Sequence, residues 1–286
     1  MRSEEEIKNI ILDKAKADNR IRAVLLNGSR ANPKIIPDPL QDFDIVFIVN
    51  QLESFIADHS WVSIFGDRLI WQLPDEMTFN SDRWESTCHF HYLMLFKDQN
   101  RIDLTLVQKD KIEDQFKMDS LTIVWLDKDG LFPNIGDPSD ADYLIKPPTE
   151  KEFSDTCNEF WWVCTYVAKG VLRNEITYAK SMMENPVRKM FMLMIEWYIG
   201  TKTDFSVSFG KEGKFIKKYL SAAEYNSVLS TYPDHKTQNI WNSLFEMTSL
   251  FSEFAMHVAN KKMFTYNLEE QNNILEYLHQ QYDQAT

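Results

Sequence analysis

The apolar positions of the chain change period once, close to residue 148. Before it come short runs that alternate or stay wholly apolar: "RAVLLN", "FDIVFIV", "RLIWQL", "CHFHYLMLF" and "RIDLTLV". Runs of this length, rich in β-branched and aromatic residues, read as strands. We place them at 22–27, 43–49, 68–73, 88–96 and 101–107, the last two joined by the turn-like "KDQN", with a further short strand at "LTIVWL". Two helices accompany them. Ser3 with Glu6 makes a capping box ahead of Ile7, Ile10, Ile11 and Ala15, which predicts a helix over 4–18, and a polar-rich one is expected over 109–118.

After "LIKPPTEKEF" the period becomes helical. Pro147-Pro148 bars helix continuation, and Thr149 with Glu152 opens a second capping box. Helices are predicted over 150–172, 175–199, 211–219, 222–230, 237–260 and 268–283, with Ser221 and Glu224 as a third box. The expected fold is α+β: a mixed β-sheet domain over 1–147, then an α-helical bundle over 148–286.

Composition narrows the function. The net charge is −12, and the first 149 residues hold 26 acidic against 17 basic side chains. Nucleic-acid binding draws its affinity from Lys and Arg on phosphates, so a nucleic-acid partner is not expected, whereas a cationic substrate is compatible. Three cysteines, Cys88, Cys157 and Cys164, fit neither a zinc spacing nor a complete disulfide framework. The N-terminus carries charges through its apolar positions, and no run of about 18 apolar residues occurs, so a soluble cytoplasmic protein is expected.

The candidate chemistry sits in "LLNGSRANPKIIPDPLQDFDIVFIV". A strand ends at Gly28-Ser29, the chain loops, and a second strand returns with Asp42 and Asp44 two residues apart on one face. Carboxylates that close repel unless a cation sits between them. A third, Asp103, alternates with Ile102, Leu104 and Leu106. If the two strands are neighbours, three carboxylates converge as a site for two Mg²⁺ ions that clamp a phosphoryl group; otherwise they line a wet sheet face. In the helical half, Glu159, Trp162, Tyr166, Lys169 and Arg173 recur at helical spacing as one stripe, acidic at one end and basic at the other. That stripe suits a cationic sugar beside a triphosphate across a cleft, or simply an amphipathic helix with its rings buried.

Here the residues carry a resemblance. Gly28-Ser29, Asp42-x-Asp44 and Asp103 resemble the polymerase-β-type nucleotidyltransferases. More narrowly, "NGSRANP", "QDFDI", "RIDLTL", "CNEFWWVCTYVAKGVLRNEI" and "GKFIKKYL" are similar to the aminoglycoside 6-adenylyltransferases. The resemblance implies a nucleotidyltransferase-type N-terminal domain and transfer of AMP from ATP to an aminoglycoside hydroxyl, the 6-hydroxyl of streptomycin first, with pyrophosphate released. Gly28 and Ser29 would cradle the triphosphate, with Arg30 nearby. Asp42, Asp44 and Asp103 would be catalytic and hold two Mg²⁺ ions, Asp103 as ligand, base or both. Lys169, Arg173, Lys211 and Lys214 would meet the triphosphate, the last two from the start of a helix. From their stripe Glu159, Trp162 and Tyr166 would bind the acceptor, and Glu184, ahead of the next long helix, could pair with its guanidinium or ammonium groups. A monomer is expected. The competing readings are another small-molecule acceptor, or a nucleotide-binding regulator or antitoxin without turnover.

Other features carry less. His89 and His91 share a strand face with no third ligand in view. Cys157, Cys164 and the methionine-dense "MFMLMIEWYIG" read as bundle core, and its Glu196 as either an ion-pair partner or a cleft residue.

Overall fold

In the computed structural model, which describes residues 1–78 and 88–285, the first half builds one six-stranded sheet. Its strands are β1 (Ile21–Asn27), β2 (Phe43–Val49), β3 (Arg68–Gln72), β4 (His89–Phe96), β5 (Arg101–Gln108) and β6 (Thr122–Asp127), in the spatial order β3-β4-β5-β2-β1-β6. Only β2 and β5 run parallel; the other neighbours are antiparallel. Helix α1 (Glu4–Ala17) starts at the predicted capping box and lays Ile7, Ile11 and Ala15 on one sheet face, among Val24, Ile45, Phe47, Leu104 and Leu106. The opposite face covers Ala23, Leu25, Val46, Ile48 and Val107.

The central strands β1 and β2 are therefore buried on both sides, which is why they read as continuous apolar runs. Asp44 is the one residue of β2 that is not buried. Short one-turn helices, α2 (Glu53–Ile56) and α3 (Ile112–Gln115), fill connections. The predicted helix over 109–118 is thus a 3₁₀ turn, Lys109–Lys111, followed by α3 alone. Its polar sequence offers too little apolar stripe to hold a longer helix against the sheet.

The residues fall into two units, Met1–Asp142 and Tyr143–Thr286. The second begins slightly ahead of the double proline. Leu144 forms a β-bridge with Ser208, and the Ile145 amide donates to the Val207 carbonyl (2.9 Å), so residues 144–145 pack with the helices.

Helix α4 (Glu150–Leu172) runs through this unit and packs on α5 (Ile176–Met182), α6 (Arg188–Lys202), α8 (Thr237–Lys262) and α9 (Leu268–Ala285); α7 (Ala222–Ser230) packs on α8. Phe160 of α4 stacks on Phe251 of α8 with ring centroids 3.6 Å apart. Cys157 and Cys164 are buried in the same core, as expected.

Two predicted helices of this second unit are corrected. The span 175–199 is broken by a π-turn, Met183–Val187, containing Pro186. Proline has no amide to donate, and the wider turn absorbs the missing bond without ending the helical path. The span 211–219 is not a helix but two 3₁₀ turns, Lys211–Gly213 and Ile216–Lys218. Gly210, Glu212 and Gly213 all take positive φ there (74°, 53° and 73°), which α-helix geometry excludes.

Candidate active site

Parallel pairing of β2 with β5 places Asp44 directly beside Asp103 in register. Facing β2 from its other side, Asn27 of β1 pairs with Asp44, and Gly28 follows it at φ +74°. Gly28 opens a single 3₁₀ turn, Gly28–Ala31, where the strand ends as expected. A Cβ built on Gly28 would lie 2.2 Å from Oδ2 of Asp44, so the Asp44 carboxylate occupies space that only glycine leaves open. Ser29 is half-buried on the same turn. Its carbonyl accepts from the Gln41 side-chain amide (3.2 Å), tying the turn to the loop that carries Asp42.

Arg30 belongs to that loop's support rather than to open solvent. Its Nε donates to the Asp42 carbonyl (3.1 Å), Nη2 to the Gln41 carbonyl (2.8 Å) and Nη1 to the Glu4 carboxylate (2.8 Å), and the guanidinium lies 3.8 Å over the Phe43 ring. The side chain is 8% exposed. Two of these contacts fix the backbone carbonyls of Gln41 and Asp42, so Arg30 supports the loop that carries Asp42.

The residue that sequence reasoning missed is Arg101. It forms a bidentate pair with Asp103, Nε to Oδ1 and Nη2 to Oδ2 at 2.7 Å each, and its Nη1 is 3.7 Å from Asp42 Oδ2. Asp103, Asp42 and Asp44 all raise the Arg101 pKa, the hydrogen-bonded pair with Asp103 most. Burial pushes the Asp42 carboxyl up, Arg101 opposes that shift, and the like charge of Asp103 adds to it. The signal was present: Arg101 and Asp103 are two apart on one strand and share a face.

Three carboxylates supply hard oxygen donors of the kind Mg²⁺ takes. A cation already lies against two of them, and glycine leaves the third its room, so the residues fit a divalent metal. As the side chains stand, Arg101 holds Asp103, and no group of three or more His, Cys, Asp or Glu among the described residues is gathered around a metal position. His91 pairs with Asp75 (3.1 Å) and lies beside His89, and this set too lacks a metal arrangement among the described residues.

In the second unit a groove of about 1170 Å³ gathers Glu159, Glu184, Glu196 and Glu212 with Arg188, Lys189 and Lys211 over Pro186, Met190, Met192, Leu193 and Phe209. Arg188, Met192 and Glu196 share one stripe of α6. The Glu184 carboxylate accepts from Arg188 (2.6 Å), whose other nitrogens donate to Thr231 Oγ1 (2.8 Å) and O (2.7 Å), so most of its charge is already matched. Glu196 resolves toward the cleft alternative. It pairs with no cation among the described residues, and burial alone raises its pKa.

The predicted stripe of α4 is mostly outward-facing: Trp162 is 58% exposed and donates from Nε1 to the hydroxyl of Tyr166 (2.7 Å), which is half-buried against the core. It is also divided. Glu159 lines the groove just described, whereas Trp162 lines a second one of about 440 Å³ with Asn267, Glu270 and Ile274 beside α9. Lys169 lies farther along α4, and Arg173 caps its C-terminus; both are exposed. Lys211 lines the larger groove, while Lys214 lies over the Phe215 ring (5.2 Å). Neither has a helix N-terminus behind it, since the helix predicted there is two short turns; that part of their rationale is withdrawn.

The sequence profile described as streptomycin adenylyltransferase matches residues 1–281. An aminoglycoside 6-adenylyltransferase from Campylobacter jejuni is 42% identical over 271 residues, covering 95% of this chain and 93% of that protein. One from Bacillus subtilis is 42% identical over 270 residues, covering 93% of each. A crystal structure of an aminoglycoside 6-adenyltransferase from Bacillus subtilis, 37% identical over 99% of both chains, gives a TM-score of 0.48. With the profile matched over residues 1–281 and the Campylobacter jejuni and Bacillus subtilis sequences each 42% identical over more than nine-tenths of the chain, the chain belongs to the aminoglycoside 6-adenylyltransferase family of nucleotidyltransferases.

Proposed function

We infer that the chain catalyses Mg²⁺-dependent transfer of AMP from ATP to an aminoglycoside hydroxyl, releasing pyrophosphate and inactivating the drug. The finer assignment we propose is the 6-hydroxyl of streptomycin, with two metal ions at the triad. The observation that carries this reading is the in-register pair Asp44 and Asp103 beside a glycine whose missing side chain makes room for the Asp44 carboxylate.

The roles follow from charge and placement. Asp42 and Asp44 would hold the metal, and Asp103 would share it or take the proton of the attacking hydroxyl. When bound, Mg²⁺ neutralises triphosphate charge and polarises the phosphoryl oxygens. Gly28 lets the backbone approach the phosphates, and Ser29 offers a hydroxyl. Arg30 keeps Asp42 in place through its two carbonyl contacts. Lys169, Arg173, Lys211 and Lys214 remain the candidate phosphate-facing cations.

For the acceptor, Glu196 is the best-supported ligand because it is half-buried in the groove and forms no ion pair among the described residues; a bound ammonium or guanidinium would relieve that cost. Glu159 would join it, and Glu184 would contribute through the oxygen surface that Arg188 leaves. The apolar floor of Met192, Leu193 and Phe209 suits the carbon skeleton of a sugar. Trp162 and Tyr166 form a separate aromatic surface, so they would contact the acceptor only through a different part of it.

The test is pyrophosphate release from ATP across a panel of aminoglycosides and lincosamides, with Asp44→Asn as control. Release with streptomycin that needs Mg²⁺ and disappears in the variant supports the reading. Release only with another acceptor overturns the substrate, and silence across the panel overturns the reaction.

A further inference from the structure

The position of Arg101 has a consequence for metal loading. Its guanidinium is clamped on Asp103 by two 2.7 Å hydrogen bonds and lies 3.7 Å from Asp42, while Asp44 adds to the negative field around it. The three carboxylates would otherwise repel one another on a partly buried sheet end. A divalent ion ligated by Asp103 needs the same oxygen lone pairs that the guanidinium now uses. Both cannot hold Asp103 in this way at once. A guanidinium leaving Asp103 keeps its full charge and five donors, and the strongest partner that a nucleotidyltransferase offers it is a phosphate oxygen.

Arg101 has the solvent access this requires: its side chain is 44% exposed, against 8% for Arg30, which is held by two backbone carbonyls and the Glu4 carboxylate. The contrast separates a fixed arginine from an exchangeable one on the same site.

We propose that Arg101 is a displaceable counter-ion: it neutralises the carboxylate triad in the nucleotide-free enzyme and is exchanged for divalent metal when ATP arrives, so that metal and nucleotide load together. The proposal rests on the reading that the triad binds divalent metal. It implies a reciprocal coupling, metal tightening nucleotide and nucleotide tightening metal by one factor, part of which originates in Arg101.

The experiment is equilibrium Mn²⁺ binding to the full-length chain, read by the electron-paramagnetic-resonance signal of free Mn²⁺. It is run without nucleotide and with an α,β-methylene analogue of ATP. Melting curves establish that each variant is folded. For Arg101→Gln without nucleotide, Mn²⁺ affinity is expected to rise about three- to tenfold, the range of a partly exposed bidentate pair. The gain from adding the analogue should shrink in that variant, and Arg101→Lys should fall between it and wild type. Equal or weaker Mn²⁺ binding in Arg101→Gln, with binding still abolished by Asp44→Asn, overturns the proposal and leaves the metal reading intact. Mn²⁺ binding unchanged in both variants overturns the metal reading and the proposal with it.

Discussion

Replacing Gly28 by alanine tests the site where backbone and carboxylate meet. Two costs can be worked from the geometry. At φ +74° an added Cβ meets the local backbone, which costs about 1–2 kcal/mol. The Cβ would also lie 2.2 Å from Asp44 Oδ2 and 3.0 Å from its Cγ, so the carboxylate must retreat by about 1 Å to reach ordinary contact, a displacement that can cost about 10²-fold in rate. Stability and activity should therefore separate. A loss of about 1–2 kcal/mol lowers the melting temperature by roughly 3–8 °C, so the variant stays folded at assay temperature. Turnover should fall about a hundredfold under those conditions. The assay pairs a circular-dichroism melt with steady-state pyrophosphate release, both at saturating Mg²⁺. Turnover within about threefold of wild type would refute the argument that Gly28 exists to house the Asp44 carboxylate.

Four further outcomes are expected. Arg30→Lys should lower kcat with little change in the KM for ATP, because Arg30 fixes the Asp42 loop; a raised KM with kcat intact would show that it binds phosphate instead. Glu196→Gln should weaken equilibrium binding of the acceptor by about tenfold and leave ATP binding unchanged, as calorimetry would read. Burial raises the Glu196 pKa, so its ionised form is lost at a higher pH than for an ordinary glutamate: acceptor affinity should fall on acidification through that raised pKa, and the fall should flatten in Glu196→Gln. Arg188→Met removes a buried guanidinium held by Glu184, Thr231 and the Tyr232 ring, and should destabilise the helical unit by about 2–4 kcal/mol in chemical denaturation; a change below about 0.5 kcal/mol would show that the network is dispensable.

Local signals were legible and long-range ones were not. The three capping boxes at Ser3, Thr149 and Ser221 all form, since a capping box needs only four consecutive residues. The alternation of β5 correctly set Ile102, Leu104 and Leu106 inward and Asp103 on the wetter face. That β2 and β5 are parallel neighbours depends on chain topology, and spacing along one strand says nothing of it. Arg101 escaped notice because an Arg-x-Asp pair on an alternating strand also describes any solvated face.

The turns at 211–218 were misread as a helix because apolar spacing outweighed two glycines whose positive φ rules out the α conformation. The acceptor groove was half legible. Glu159 was legible from its helical stripe, but Glu196 became informative only once packing placed it half-buried in the groove with no ion pair to it among the described residues. No helix among the described residues is long and apolar enough to cross a membrane, in line with the hydropathy of the sequence.

The central claim is that the carboxylates brought together by β2 and β5 transfer an adenylyl group to an aminoglycoside. Mass spectrometry of streptomycin after incubation with ATP, Mg²⁺ and either the wild-type chain or Asp44→Asn tests it most directly. Drug that gains one AMP with the wild type, at the 6-hydroxyl by NMR, and stays unmodified with Asp44→Asn is the predicted result. Unmodified drug with both proteins, or equal modification by both, would contradict it.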